Sequence, residues 1–335
     1  MIETGFGDMA RYLALRRAGM MLKQDVARLS GELSSGQVAD KPRHLSGDLT
    51  RLSGLNRAVE QASVHQRTAE SGNLFLEAQQ AVIHDLLDLS QKKFQDLIVL
   101  EQSGLVPSVP VAIDAMAQGF SEIVGKLNIS VAGRTVFAGV ASDRPALAGA
   151  AQMLDALVSS LPPGLNATDL ANHISDWFLP GGGFDTAGYS GGQPIPEQFE
   201  LGQGVVGNLG VTAQEPAIRK TLSAFATGAV LSRDVFAGDL QSQQEVLVKA
   251  GQMLANSSLP LTDLSARIGI EEEKHARATS RAIAEKSAMS IALSALREAD
   301  PYETATRLEQ AMVRLDTVYT LTARLSRLSL VEYLR

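Results

Sequence analysis

DPYETATRLEQAMVRLDTVYTLTARLSRLSLVEYLR, residues Asp300–Arg335, is the stretch that decides the fold. Its apolar residues recur every three or four positions, which is typical of an amphipathic helix. We expect Asp300 to cap this helix, Pro301 to occupy its first position, and Glu303 to reach back to the cap. The predicted apolar stripe consists of Leu308, Ala311, Leu315, Val318, Leu321, Leu325 and Leu328.

A second helix with a similar stripe is predicted near the N-terminus. It should end where SSGQVADKPRH, residues 34–44, introduces a glycine and a proline. We therefore expect the two terminal helices to cover one another in part, with neighbouring subunits covering the rest. The N-terminal stripe, which keeps a heptad-like spacing, consists of Tyr12, Leu15, Gly19, Leu22, Val26, Leu29 and Leu33.

Most of the remaining sequence also predicts helices. NISVAGRTVFAGVA, residues 128–141, differs because β-branched residues and glycines alternate there, and this indicates a β-hairpin. Residues 142–233 are rich in glycine and proline and are interpreted as an inserted globular module. The helices predicted between the two ends are Asp48–Gln102, Val109–Leu127, Leu147–Leu161, Ala167–Phe178, Glu215–Leu231, Asp239–Ala255 and Asp263–Glu298.

The composition limits the possible functions of the 335-residue chain. Its net charge of −7 argues against broad binding of nucleic acid, which needs a basic surface. The absence of cysteine excludes disulfides, thiol catalysis and cysteine-based zinc sites. No apolar run approaches 18 residues, so membrane insertion is not expected. The first residues also lack the pattern of a cleaved signal peptide.

Two motifs resemble known functional sites, but the residues around them do not support that chemistry. GQGVVG, Gly202–Gly207, matches a dinucleotide fingerprint, but the polar stretch before it and NLGVTAQEP after it favour a glycine-rich loop beside short strands. Glu272 and His275 have the spacing of one half of a di-iron site, and no second pair exists, so ion pairs on a solvated face are favoured. Trp177 is interpreted as a core anchor. We expect no catalytic, cofactor-binding or metal-binding residues.

Three stretches carry a family resemblance. VARLSGELSSGQVADKPRHLSGDLTRLSGLNRAVEQA is similar to the flagellin stretch in which a first helix ends at L-S-S/T-G. GRTVFAG, residues 133–139, resembles a hairpin of the hook–filament junction members of that family, and the C-terminal stretch resembles their last helix, which ends in S-L-x-x-Y-L. The resemblance covers about two thirds of the chain. It departs from the family after the first turn, where ADKPRHLSGD replaces the expected S-x-D-D run, and at Thr135, where an aromatic residue is commoner.

The resemblance implies a mainly α fold whose long antiparallel helices form a coiled-coil rod, with a short β-hairpin and an inserted mixed α+β domain. It implies terminal helices at 1–45 plus 295–335, a rod at 46–141 plus 234–294, and an outer domain at 142–233. It adds Leu330 and Tyr333 to the C-terminal assembly surface, and Gly133, Phe137 and Gly139 to the hairpin.

The resemblance also implies a function. The chain would be a structural subunit that joins hook to filament in the extracellular flagellum, with the filament flagellin as the alternative. Its partners would be copies of itself in a ring, the other junction protein, flagellin subunits, an export chaperone and the type III export apparatus.

Overall fold

The computed structural model describes residues 4–47, 49–103, 108–193, 198–202 and 204–333. Side chains are described for all of these except residues 4–9, 12, 100–103, 198–199 and 325–333. The chain divides into two compact units, Met1–Gln61 with Ala284–Arg335, and Ala62–Ile283. Long helices dominate both, and the described strands form two small antiparallel sheets. The prediction of a mainly α fold with a short β-hairpin is therefore confirmed.

The described helices and strands are named here in their order along the chain. They are α1 (Thr4–Ser35), α2 (Lys41–His44), α3 (Thr50–Ser103), α4 (Val109–Leu127), β1 (Ser130–Val131), β2 (Arg134–Thr135), α5 (Ala150–Ser159), α6 (Ala167–Phe178), β3 (Gln198–Gly202), β4 (Val205–Asn208), α7 (Pro216–Ala229), α8 (Leu240–Arg297) and α9 (Pro301–Tyr333). A π-helical turn, Phe184–Gly188, precedes β3, and a 3-10 turn, Val230–Arg233, extends α7.

In the first unit, α1 and α9 pack against one another in opposite directions. Gly19 of α1 faces Val318 of α9, and a Cβ atom on Gly19 would lie 3.6 Å from the valine side chain. Beyond the end of α1, Gln37 pairs in antiparallel fashion with Glu298, just before α9 begins. The terminal helices therefore form the antiparallel pair that the two apolar stripes predict.

The start of α9 confirms part of the predicted capping. Asp300 Oδ1 accepts hydrogen bonds from the backbone N–H groups of Tyr302, at 2.9 Å, and Glu303, at 3.0 Å. Glu303 does not reach back, however, and that expectation is wrong. Its carboxylate pairs with Arg307 one turn later, at 2.5 Å, because residues four apart share one helix face.

Helix α8 corrects a second expectation, which divided this region into two helices near Pro260. The structure has one helix, Leu240–Arg297, with Pro260 inside it. Proline removes one helical N–H donor and crowds the preceding turn, but packing on both sides outweighs this cost. Leu254 and Ser257 before the proline, and Leu261 after it, are fully buried.

The core of the second unit centres on α7, in which every residue from Ala217 to Ala229 except Lys220 is buried. Helix α7 packs on α4 and α6. Small residues allow the close approach: Phe225 lies directly over Gly119, and Met116 lies directly over Gly228, so that a Cβ on either glycine would overlap these side chains. Residues 142–233 thus share a core with α4, while the three-part division of the chain remains a prediction.

Trp177 lies in an aromatic cluster and is buried, which confirms its predicted role as a core anchor. Its ring meets Phe178 edge-on at 4.9 Å and Phe184 at 6.3 Å. The buried Arg219 guanidinium stacks on Phe184 and pairs with Asp185. Burial raises the pKa of Asp185, but the Gly181 N–H and Arg219 outweigh it and hold that pKa below its ordinary value.

No helix in the described part of the chain combines the length and apolarity needed to cross a bilayer.

Replacing Pro260 by alanine should stabilise the second unit. The substitution restores a helical donor within α8, and we expect the free energy of unfolding to rise by about 1–3 kcal/mol. Urea unfolding followed by circular dichroism measures the change. Pro301→Ala is the matched control, since proline at the first position of α9 costs little and its loss should change stability by less than about 0.5 kcal/mol. An unchanged or lower stability of P260A would show that the surrounding packing has adapted to the proline.

Candidate assembly surface

The two terminal helices are joined at a backbone junction formed by the loops that flank them. The Val38 N–H donates to the Arg297 carbonyl at 2.9 Å, and the Ala299 N–H donates to the Gly36 carbonyl at 3.0 Å. Helix α1 ends here because Gly36 adopts a left-handed conformation, with φ +68°. The L-S-S-G turn identified in the sequence thus sets the point at which α1 meets the start of α9.

Glu32 holds this junction together from within α1. Its side chain is only 7% exposed. One carboxylate oxygen accepts from the Ala39 N–H at 2.9 Å and from the Arg28 guanidinium at 3.1 Å. Arg28 also donates to Asp25 at 3.0 Å. A buried carboxylate with charge-assisted bonds on both sides fixes the chain direction after α1. Sequence reasoning missed this residue because a lone glutamate in a helix resembles a solvated one.

The predicted N-terminal assembly residues are only partly covered by α9. Leu29 is buried, whereas Leu15, Leu22 and Val26 are half-buried, and Leu33 is exposed. The side chain of Tyr12 lies outside the described part of the structure. The stripe therefore lies on the face that α9 contacts, and its role in assembly remains a prediction.

The predicted C-terminal residues behave in the same way. Leu308, Leu315 and Val318 are half-buried, and Leu321 is 44% exposed. The side chains of four further predicted residues lie outside the described part of the structure: Leu325, Leu328, Leu330 and Tyr333. The helix pair thus leaves much of its own seam accessible.

Apolar side chains also lie exposed away from the seam, and sequence reasoning did not identify them. On α1, Leu13 and Met20 are seven residues apart and more than half exposed, on the side opposite the seam. On α9, Val313 is 62% exposed and Met312 is close to half exposed. The seven-residue spacing of Leu13 and Met20 was the available signal. Both helices therefore present apolar surface that a single partner helix cannot cover.

The β1–β2 hairpin has the predicted form. Its turn, Ala132–Gly133, has positive φ at both residues, +50° and +77°, and this favours the tight turn that matches strand twist. Phe137 is fully buried. Gly139 has φ +61° and lies against the Gln193 carbonyl, where a side chain would overlap. These residues shape the hairpin, and a direct part in assembly remains a prediction.

The glycine motif at 202–207 is a hairpin, and the interpretation as a loop beside short strands agrees with this. Strands β3 and β4 pair in antiparallel register around it. Gly204 supplies a left-handed turn position with φ +74°. No helix follows β4 directly, so the motif lacks the helix N-terminus that a pyrophosphate site requires.

The third glycine of this motif contacts His275, which is fully buried. The imidazole lies between Gly72 of α3 and Gly207 of β4, and a Cβ on either glycine would overlap the ring. Its Nδ1 is 3.3 Å from the Ala69 carbonyl oxygen, while its Nε2 has no hydrogen-bond partner. Burial lowers the pKa of His275 below its ordinary value. The glycines of two distant segments are thus explained by one side chain.

The acidic run beside His275 forms the helical ion pairs that were predicted. Lys274 pairs with Glu271 at 2.7 Å, and Arg277 pairs with Glu273 at 2.5 Å. Burial, with the nearby Glu77 carboxylate, raises the pKa of Glu272. Within the described residues, no three acidic or histidine side chains lie together as metal ligands would.

Replacing Glu32 by alanine should loosen the junction between α1 and α9. The Ala39 N–H and Arg28 would lose a charged acceptor, at a cost of about 1.5–3 kcal/mol. Hydrogen exchange of the backbone amides at 36–39 and 297–299 measures this as faster exchange. The exposed Glu309→Ala on α9 should leave those amides unchanged. Equal protection in both variants would show that Glu32 does not hold the junction.

Gly72→Ala should destabilise the second unit although alanine favours helix. The new methyl group would overlap the His275 ring, at a cost of about 1–3 kcal/mol. Gly269→Ala, on α8 with open space around it, should instead stabilise by up to about 1 kcal/mol. A double-mutant cycle with His275→Ala should show a favourable coupling, because removal of the ring makes room for the methyl group. Additive effects would contradict the packing described here.

Comparison with known proteins gives one family match. Residues 252–334, about a quarter of the chain, match the bacterial flagellin C-terminal helical region. This segment comprises most of α8 and the whole of α9. No curated protein matches the chain. The match supports a relationship of this C-terminal segment to the flagellins, a structural family of the bacterial flagellum.

Proposed function

We propose that this chain is the flagellar subunit that joins hook to filament, and that it assembles through its terminal helices. The family match supports a structural flagellar subunit. Assembly through the terminal helices is supported by one observation: the apolar core of the terminal unit is small. Among its described residues, the buried apolar side chains are Leu29, Ala299 and Ala311.

So small a core is insufficient for two helices of this length. Burying a large aliphatic side chain contributes about 1.5–3 kcal/mol, whereas ordering each residue costs about 1–2 kcal/mol of backbone entropy. Three buried side chains, two of them alanine, therefore cannot order α1 and α9 unaided. Packing of neighbouring subunits on Leu13, Met20 and Val313 supplies further burial, so ordering and assembly are coupled.

The junction position, as distinct from the filament, is supported by two sequence features. GRTVFAG at 133–139 and SLVEYL at 329–334 resemble the junction members of the family, and the flagellin-type run after the first turn is absent. The filament subunit is the second candidate, since it has the same terminal helices. The number of copies of the chain in each flagellum distinguishes the two candidates, because a junction needs about one ring of subunits and a filament needs thousands.

The proposed partners follow from this position. Copies of the chain would form a ring, bounded by the other junction protein and by flagellin subunits. Before assembly, an export chaperone would cover the exposed apolar residues of α9, and the type III export apparatus would carry the chain out of the cell.

Deletion of the gene tests the position in the flagellum. We expect hooks without filaments, with monomeric flagellin released into the medium, because flagellin would lack its attachment ring. Electron microscopy and analysis of the medium measure both outcomes. Filaments of normal length on the deletion strain would refute the junction role, and cells that make no flagellin of any kind would favour the filament subunit.

Variants of the terminal helices test the assembly surface. Replacement of both Leu13 and Met20 by glutamine should abolish assembly, because polar side chains would occupy the surface that neighbours cover. Removal of residues 321–335 should have the same effect while the second unit stays folded. Circular dichroism reports the fold, and sedimentation reports assembly.

The exposed Gln24→Ala on α1 is the control, and it should assemble normally. Normal incorporation of either altered protein would show that these residues are not part of the interface.

A further inference from the structure

We propose that the β3–β4 hairpin is a latch that opens in acid, with His275 as the group that takes up the proton. The described residues of the hairpin, 198–202 and 204–208, lie across α3 and α8 within the second unit. Leu201 packs with Ala69 of α3 and Ala278 of α8, and all three are buried. Gly207 rests on the His275 ring. The closed hairpin therefore covers the imidazole.

The closed arrangement requires a neutral imidazole. The Ala69 carbonyl accepts a hydrogen bond, so the proton of neutral His275 lies on Nδ1, and Nε2 carries a lone pair. That lone pair faces Gly207, where the described structure places no donor. A protonated ring would turn Nε2 into a donor that is buried without an acceptor. A buried charged donor without a partner is strongly unfavourable, so protonation opposes closure.

One carboxylate could neutralise the new charge, and it already holds the hairpin. Glu271 lies one turn before His275 on α8. One of its oxygens accepts from Lys274 at 2.7 Å, and the other accepts from the Asn208 N–H at 3.0 Å. If Glu271 turns toward the imidazolium, the hairpin loses its Asn208 tether. Protonation thus weakens closure whether or not Glu271 responds.

Other charged groups near the ring do not provide an acceptor. Lys274 is positive and opposes protonation. Arg67 of α3 and Arg134 of β2 line the same cavity as His275, and both are positive. Glu70 of α3 and Glu200 of β3 are exposed to solvent. Among these groups, Glu271 is therefore the carboxylate that could pair with a protonated ring.

The segment that follows the hairpin limits the movement. The Gln79 side chain donates to the carbonyls of Val136, at 3.3 Å, and Val211, at 3.2 Å. The Ala213 N–H donates to the Phe137 carbonyl at 3.0 Å. These bonds hold the chain after β4, so opening bends it between Asn208 and Val211 and exposes Leu201.

Because the closed hairpin lowers the pKa of His275, acid should favour the open hairpin. The open state binds the proton with the ordinary histidine pKa of about 6.5, and the closed state binds it more weakly. The contribution of neutral His275 to closure is therefore fully present above about pH 6.5 and is lost progressively as the pH falls below that value. Each pH unit below it, down to the lowered pKa of the closed state, favours the open form by up to about tenfold.

Distance measurement between two spin labels tests the latch in the full-length chain. The chain has no cysteine, so Val206→Cys on β4 and Ile270→Cys on α8, both at exposed positions, take up the labels selectively. Pulsed electron paramagnetic resonance should give one short distance at pH 7.5 and a growing longer component at pH 5.5. An unchanged distance distribution between these pH values would overturn the proposal.

Substitution of the histidine assigns the effect. In the same labelled background, His275→Gln should keep the short distance at both pH values, because glutamine cannot take up the proton. His44→Gln, which alters an exposed histidine of the other unit, should respond as the parent does. An acid response that persists in H275Q would exclude His275 as the proton acceptor.

A second measurement keeps the test valid if H275Q fails to fold. Labelling the histidine Cε1 atoms with ¹³C allows each ring to be titrated by NMR in the otherwise unaltered chain. His275 should remain neutral below pH 6.5 and change charge together with opening of the hairpin. Protonation at the ordinary pKa with the hairpin closed would overturn the latch. These outcomes do not depend on flagellar assembly, so they are independent of the proposed function.

Discussion

A pair of helices can bury only one face of each member, and this limit governs the terminal unit of the protein. Gly19 and Val318 bring α1 and α9 into contact, but most of the described seam residues remain half-buried or exposed. Leu13 and Met20 lie exposed on the opposite side of α1. Apolar surface on two sides of one helix is costly in an isolated chain and useful in an assembled one. The junction at 36–39 and 297–299 sets the direction of the pair, and the pair by itself leaves apolar surface uncovered.

In the second unit, by contrast, the close contacts are made within one chain. Phe225 on Gly119 and Met116 on Gly228 bring α7 against α4, and His275 on Gly72 brings α8 against α3. Each contact places a large side chain where its partner has none, which is how tightly packed interiors avoid voids. The same unit encloses Arg219 with its acceptors, Asp185 among them. Such a core is self-sufficient.

The sequence predicted the helices well, because apolar periodicity, Gly36 and Asp300 are local signals. It was misleading at Pro260, where local chemistry indicates a break and buried neighbours on both sides keep the helix intact. The contacts between distant segments could not be predicted. His275 acts through Ala69 and Gly207, and pairing across such separations has no signature in one sequence. Exposed residues such as Val313 follow only from knowing which face the partner helix covers.

The contrast between the two units suggests how the proposed subunit could be exported first and assembled afterwards. A unit that folds by its own packing needs no partner, whereas a helix pair with a minimal core gains order mainly when further surface is buried. Leu29, Ala299 and Ala311 are too few to order the terminal helices in isolation. Because the missing burial is apolar and lies on the outside of the pair, copies of the same helices can supply it. In the proposed assembly, order in the terminal unit and attachment to neighbours would then be one event, driven by the same buried area.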